Sequence, residues 1–199
     1  INPEEVGNTR NIVVSDQSGQ SNIMSRLNSI GIKIEKHDPK IKKLLEEVKD
    51  REFTGFSYDG ADASFELLAR RLMGEIPRYI SINEYDVSVK KDSTGKIISV
   101  AKAQLEVDGQ KILCEGEGNG PVNALDNAIR KNVNKLAKYS EYLKDLKLLD
   151  YKVRILNTGT EAVTRVSIES TDSKGLNWFT IGLSLIHISS PRDTLLSRM

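Results

Sequence analysis

The feature that most constrains the fold is the glycine-rich stretch at residues 116–125, which reads GEGNGPVNAL. An alternating apolar run at residues 110–115 leads into it, and a helical pattern at residues 122–136 leads out of it. Three glycines in five residues let the backbone turn sharply and let another group come close. Pro121 falls in the first turn of the helix, where proline is well tolerated. The stretch therefore predicts a strand, a glycine hinge and a helix start.

Two interpretations of this stretch remain open from spacing alone. The backbone N–H groups of such a turn, with the helix dipole behind them, favour a carboxylate or a phosphate. The same spacing also fits a tight connection from strand to helix that binds nothing.

Composition and charge exclude several broad classes of protein. The chain has 199 residues, a formal net charge of +1 and 29% charged residues, which is typical of a soluble globular protein. That charge provides no strong field for nucleic acid or an anionic membrane, and the apolar runs are too short to span a bilayer. No signal-peptide pattern opens the chain, and the single cysteine, Cys114, fits a structural thiol in a reducing compartment such as the cytoplasm. Because the chain opens at Ile1 without an initiator Met, we expect a piece of a longer protein.

Residues 1–74 predict a small helical subdomain. A strand candidate at residues 11–15 and a polar turn at residues 16–22 precede three amphipathic helices. We expect Ser21 or Asn22 to cap the first helix and Gly31 to end it, Asp38 to cap the second with Pro39 at its first position, and Asp59 to cap the third, at residues 61–73.

Residues 75–182 predict a duplicated domain of the α+β class. Three alternating runs precede a helix at residues 121–138. A turn at residues 92–95 joins the first two runs, and Asp108-Gly109, a strong hairpin signal, joins the last two. The pattern then recurs, since Tyr151 and its neighbours echo Tyr85 and its neighbours 66 residues earlier. We interpret this as two β-β-β-α units, the second lacking its final helix.

The last segment, residues 183–199, departs from the repeat. A helix should follow Gly182, but the text LSLIHISSPRDTLLSRM has no sustained apolar stripe, and LSLIHIS resembles a translated sequencing adapter. We expect the native frame to end near Gly182 or Leu183, with a non-native tail beyond it.

The chain contains no recognisable catalytic or metal motif. It has no nucleophile motif, zinc spacing or Walker loop, and His37 fits a solvated surface histidine better than a ligand. A double-stranded RNA-binding module has the same element order, but it needs lysines at the start of its last helix. Asp126 has the wrong sign there and Lys131 comes two turns late. A dinucleotide site is also weakly supported, because the spacing is not GxGxxG and the strands are hairpin-linked.

Several stretches carry a resemblance to a known family. They are INPEEVGN, VVSDQSGQSNI, YDGADASFELL, EGEGNGPVNALDNAIRK, DYKVRIL and NWFTIG, in this order. Together they resemble the region downstream of the catalytic barrel in the 2-isopropylmalate synthase family, and within it the citramalate synthases. The resemblance covers residues 1 to about 182.

The resemblance implies a regulatory role without catalysis. The family condenses acetyl-CoA with a 2-oxo acid, pyruvate in citramalate synthases, in a barrel that uses a divalent metal. That barrel is absent here, so no catalytic residue and no cofactor is expected in this chain. The helical subdomain at residues 1–74 would be a linker that leans on the partner protomer's active site. Residues 75–182 would be the regulatory domain, which would form a homodimer and bind a feedback amino acid, isoleucine in citramalate synthases or leucine in 2-isopropylmalate synthases.

The resemblance also assigns the effector loop. Val122, Ala124 and Leu125 would offer an apolar wall to the amino acid side chain, and the glycine turn would accept its carboxylate. The complete expected site is Gly116, Gly118, Asn119, Gly120, Pro121, Val122, Ala124 and Leu125.

Two departures from the family pattern limit which residue roles can be assigned to this chain by resemblance. Many relatives have a His before the Ser-Gly of the linker turn and an Arg after it, whereas this chain has Gln17 and Gln20. No role passes to those two residues. The second hinge and helix are also missing after Gly182, which leaves half of a symmetric effector pocket in question.

Overall fold

The computed structural model describes residues 3–7, 19–35, 37–91, 93–156 and 163–185. The chain divides into two compact units, Ile1–Ile76 and Pro77–Met199. The strand predicted at residues 11–15 and the predicted non-native tail beyond residue 185 lie outside the described residues.

The first unit is helical. A 3-10 helix at Pro3–Val6 precedes α1 (Gln20–Ser29), α2 (Pro39–Phe53) and α3 (Asp62–Met73). The three α-helices enclose one core, because each places an apolar stripe on the others. Its fully buried members include Ile23, Leu27, Ile41, Leu44, Val48, Tyr58 and Phe65.

The helix starts of this unit test the predicted caps. Asp38 caps α2 as predicted, since its carboxylate accepts a hydrogen bond from the N–H of Lys40 at 2.8 Å. The caps predicted for the other two helices are wrong. α1 begins after Gly19 and α3 begins after Ala61, neither with a side-chain cap.

A long-range ion pair explains the start of α3. Asp62, in the first turn of α3, pairs with the buried guanidinium of Arg26 from α1. The same guanidinium stacks over the Phe65 ring at 5.6 Å. Burial lowers the pKa of Arg26, and the nearby Asp59 carboxylate opposes that shift. Asp62 therefore neutralises the buried Arg26 guanidinium and does not cap α3.

In its described residues, the second unit consists of two antiparallel three-stranded sheets and two helices, which confirms the α+β class. Sheet A has the order β1-β2-β3 and sheet B has the order β4-β5-β6. The elements are β1 (Ile80–Lys91), β2 (Ile97–Val107), β3 (Gln110–Gly118), α4 (Pro121–Val133), α5 (Ala137–Lys144), β4 (Lys147–Ile155), β5 (Val163–Thr171) and β6 (Asn177–Leu185). The first three residues of the predicted tail thus continue β6 and pair with β5.

The two sheets repeat each other in register. Tyr85 lies opposite Ala103 in sheet A, and Tyr151 lies opposite Ile168 in sheet B. Each first strand also has an irregularity at the equivalent place, between Ile82 and Glu84 in β1 and between Leu148 and Asp150 in β4. A bulge is a specific backbone feature, so its repetition supports the duplication inferred from sequence.

The helix predicted at residues 121–138 is shorter than expected. α4 ends at Val133, and a separate helix, α5, begins at Ala137. Leu136 is extended, with φ −84° and ψ 110°, so the chain changes direction there. The redirected α5 buries Tyr139 and Leu143. Tertiary packing therefore overrides the apolar spacing that carried the predicted helix through Leu136.

Candidate functional site

The first two glycines of the glycine-rich stretch lie within β3 and face the backbone of α4. A Cβ on Gly116 would stand 2.4 Å from the backbone N of Ala128, and one on Gly118 would stand 2.5 Å from the backbone N of Ala124. Real Cβ atoms do not come so close to backbone atoms. Gly116 and Gly118 are therefore required by the packing of α4 on the sheet.

The third glycine has a different environment. Gly120 is the N-cap of α4, with φ −162° and ψ 169°, and no atom of the described residues lies within 4 Å of where its Cβ would be. Its carbonyl accepts the N–H of Ala124 at 2.9 Å, and Pro121 occupies the first helical position as predicted. None of the three glycines has a positive φ. The predicted hinge is thus two packing glycines followed by one open position.

Two asparagines that the sequence analysis missed hold the connection in place. The Asn123 side-chain oxygen accepts the N–H of Asn119 at 3.2 Å, and the Asn127 amide donates to the carbonyl of Glu117 at 2.9 Å. Both side chains come from the first two turns of α4. Their spacing of four residues was the available signal, because such residues share a helix face. The strand end and the helix start are consequently tied together by side chains as well as by packing.

The predicted apolar wall divides between core and surface. Ala124 and Leu125 are completely buried in α4, together with Ala128 and Ile129. Val122 is only half-buried, beside Pro121. The outermost expected site residues are therefore Asn119, Gly120, Pro121 and Val122, while the inner ones support the helix.

A polar groove runs between the later turns of α4 and the edge of β3. It has a volume of about 630 Å³ and is lined by Glu115, Gly116, Glu117, Asn127, Arg130 and Lys131. The Arg130 guanidinium is held by the Asp126 carboxylate at 2.8 Å and by the Leu146 carbonyl at 2.9 Å. The groove therefore lies beside the second and third turns of α4, where Arg130 and Lys131 supply its cations.

The thiol of Cys114 lies near the loop but is poorly reactive. Cys114 is buried in β3, and burial raises the pKa of its thiol while Lys135 opposes the shift. A neutral buried thiol is a poor nucleophile. Within the described ranges, no group of three or more His, Cys, Asp or Glu residues could hold a metal ion. Those ranges also contain no helix long and apolar enough to cross a membrane.

Comparisons with known proteins agree with this arrangement. The family model of the LeuA allosteric (dimerisation) domain matches residues 59–185, a region that begins just before α3 and includes both sheets. Among curated proteins, the (R)-citramalate synthase of Aquifex aeolicus is 43% identical over 92% of this chain and 35% of its own length. The (R)-citramalate synthase of Geobacter sulfurreducens is 42% identical over the same shares, and that of Synechocystis is 39% identical over 92% of the chain and 34% of its own length.

The chain thus spans about a third of the length of the curated relatives it matches. The resemblance to the regulatory region of the 2-isopropylmalate synthase family is confirmed by these matches. This chain belongs to the LeuA allosteric (dimerisation) domain family.

Proposed function

We propose that the chain is the linker and regulatory part of an (R)-citramalate synthase, and that it dimerises and senses a branched-chain amino acid at the start of α4. The open position at Gly120, directly before a helix N-terminus, is the observation that carries the proposal. Three relatives of that name at 39–43% identity over 92% of the chain support the choice of parent enzyme.

The geometry suits the carboxylate of an amino acid. The N–H groups of Val122 and Asn123 have no intrahelical acceptor in the first turn of a helix, and the helix dipole adds favourable positive potential. Because Gly120 has no side chain, a carboxylate can approach these N–H groups closely.

The expected site residues take two roles in this proposal. Asn119, Gly120, Pro121 and Val122 contact the amino acid, with Val122 against its apolar side chain. Gly116, Gly118, Ala124 and Leu125 hold α4 against β3 so that the contact surface keeps its shape.

Isoleucine is the proposed effector, because the parent enzyme would supply isoleucine biosynthesis. The parent's condensation of acetyl-CoA with pyruvate, with its divalent metal, is proposed for the catalytic barrel and assigned to no residue of this chain. A cytoplasmic location is proposed on the same grounds. Leucine is the alternative effector, and it would imply a parent 2-isopropylmalate synthase.

Calorimetric titration of isoleucine, then leucine, into the 199-residue chain tests the proposal. Gly120→Val should weaken binding at least about tenfold, because its methyl groups occupy the approach to the helix N-terminus. The fold should be retained, since the Gly120 backbone is extended and open to any residue. Lys111→Val, on the exposed surface of β3, is the matched control and should leave binding unchanged.

The outcomes separate the alternatives. Saturable heat with isoleucine that is lost in Gly120→Val supports the citramalate-type sensor. A preference for leucine reassigns the parent to 2-isopropylmalate synthesis. No saturable heat with either amino acid, in a chain that circular dichroism shows to be folded, would contradict amino acid sensing by this domain.

A further inference from the structure

The two first strands of the repeat are both edge strands, and both expose apolar side chains. β1 and β4 stand at the ends of their sheets and pair with one neighbour each. On the face that carries α4 in sheet A, and on the equivalent face of sheet B, Tyr85 is 49% exposed, Val89 55%, Val153 53% and Ile155 65%. Exposed apolar edge strands are ready templates for pairing with another chain.

The outer face of sheet A carries a row of alternating charges that ends at β1. Glu115 lies opposite Lys102, and Lys102 lies opposite Asp86. Signs along this row are therefore negative, positive and negative, and the next strand would favour a positive charge. Asp86 is exposed at the open side of the row.

The outer face of sheet B carries two like-charged pairs that end at β4. Arg154 lies opposite Arg165, and Asp150 lies opposite Glu169. Like charges directly opposite each other destabilise a sheet. Lys152 partly offsets the acidic pair through its ion pair with Asp150 at 2.7 Å. A strand offering one acidic and one basic residue, four positions apart and in antiparallel order, would complement both pairs.

β1 has this pattern, and the bulges select the register. We propose that β1 of one copy pairs antiparallel with β4 of a second copy, with Val87 opposite Val153. This register sets Asp86 against Arg154 and Lys90 against Asp150, and it brings Tyr85 to Ile155. It uses residues 85–90 and 150–155, which lie beyond the irregularity of each strand. A shift of two residues would instead set Ile155 against Asn83, inside the β1 irregularity.

The same pairing occurs twice in a symmetric dimer. Each copy supplies one β1 and one β4, so a twofold axis generates both junctions and closes the assembly. Pairing of β4 with β4 about Val153 would oppose Lys152 and Arg154, which is unfavourable. The inference rests on the proposed dimerisation of the domain and names the surface through which it occurs.

Charge exchange measured by analytical ultracentrifugation tests the pairing in the full chain. Asp86→Lys and Arg154→Asp should each raise the dimer dissociation constant at least about tenfold, because each creates repulsion at two junctions. The double variant should return to within a few fold of the unmodified chain, since both junctions regain opposite charges. Glu115→Lys alters the same row at the far edge of sheet A and should leave the constant unchanged.

Cysteine cross-linking fixes the register independently of the charge variants. Asp86→Cys with Arg154→Cys should give an oxidised dimer on a denaturing gel, because directly opposite Cβ atoms are about 5 Å apart. Glu84→Cys with Arg154→Cys, offset by two residues, should cross-link far more slowly.

Four results would overturn the pairing. Arg154→Asp without effect while Asp86→Lys weakens the dimer would assign β1 to pairing with itself. Equal cross-linking at both registers would remove the proposed alignment. A stable dimer indifferent to both reversals would leave dimerisation standing and the β1–β4 surface refuted, whereas a chain that is monomeric at every accessible concentration would refute both.

Discussion

Sheet A and sheet B share a backbone plan but differ in the surface they present to a helix. By register, Gly182 in β6 occupies the position of Gly116 in β3. In sheet A, α4 packs across β3 and β2, and its backbone reaches Gly116. Across the described part of the chain, no helix packs against β4, β5 or β6 in this way.

The side chains around the equivalent glycines have diverged. Ala101, Ala103 and Leu105 of sheet A correspond by register to Val166, Ile168 and Ser170 of sheet B. Small residues beside Gly116 let α4 approach the sheet closely, whereas Val166 and Ile168 are bulkier. The two sheets therefore share the positions of the bulge, the hairpin and the glycine, but they differ in the side chains that would contact a helix.

The largest expected effect comes from the core of sheet A. Leu105 is completely buried, so Leu105→Ala should lower the free energy of unfolding by about 2–5 kcal/mol. Leu113→Ala on the outer face, where the side chain is 80% exposed, is the control and should be nearly neutral. Urea denaturation measures both. Similar costs for the two variants would show that α4 does not bury this face of the sheet.

The glycine that accepts α4 should come next. Gly116→Ala should destabilise the chain by about 1–3 kcal/mol, since its Cβ would force the backbone of α4 away from β3. Gly120→Ala is the control in the same stretch and should change stability little. We expect a smaller cost for Gly182→Ala, because no helix among the described residues crosses β6. Equal costs at Gly116 and Gly182 would break the comparison between the sheets.

Ser170, the counterpart of Leu105, should respond in the opposite direction. Its hydroxyl is fully buried and makes no hydrogen bond to any residue that the structure describes. Ser170→Ala removes that unsatisfied group and should stabilise the chain by about 1 kcal/mol. Thermal unfolding measures the gain, and a loss of similar size would mean that the hydroxyl is structurally required.

The smallest expected effect on stability concerns the turn that joins the second and third strands of each sheet. The Asp108 carboxylate accepts hydrogen bonds from Lys138 at 2.8 Å and Tyr139 at 2.7 Å, and these bonds lower the pKa of Asp108. The equivalent hairpin turn in sheet B is closed by Asp172, which accepts N–H groups of its own loop. The first turn is therefore bonded to α5 through its aspartate, whereas the second turn reaches the C-cap of α5 through Ser173, whose hydroxyl donates to the Asp145 carboxylate at 2.6 Å.

The pKa of Asp108 gives this fastening a pH dependence. Because its pKa is lower when folded, the stabilisation is present above the ordinary value of 3.8 and is lost as pH falls through the folded value. Asp108→Asn should lower the melting temperature at neutral pH, and the difference from the unmodified chain should shrink below pH 3.8. Glu141→Gln on the exposed side of α5 is the control. A difference that stays constant through this range would contradict the role of the carboxylate.

Local signals predicted much of this architecture. Asp108-Gly109 forms the predicted hairpin turn, with φ of 49° and 79°, and Asp38-Pro39 starts a helix. Turn and cap preferences act over a few residues, so sequence alone reveals them. The repeat at 66 residues was visible for the same reason, because each strand kept its alternation.

Nonlocal contacts account for what the sequence did not reveal. Leu136 continued the apolar spacing of α4, and only packing of α5 shows why the helix stops earlier. The ion pair between Arg26 and Asp62 joins two helices. In the candidate site, sequence located the helix start and Pro121 but could not distinguish packing glycines from the open Gly120.

The contact between Gly116 and Ala128 makes the spacing of α4 and β3 a fixed dimension of the domain. Side chains at an ordinary interface can absorb a displacement by changing rotamer, but here backbone meets backbone. A displacement of α4 would therefore move the edge strand β3 by a similar amount, because no side chain between them can adjust. Substitutions elsewhere in the domain would leave this distance between the two backbones unchanged.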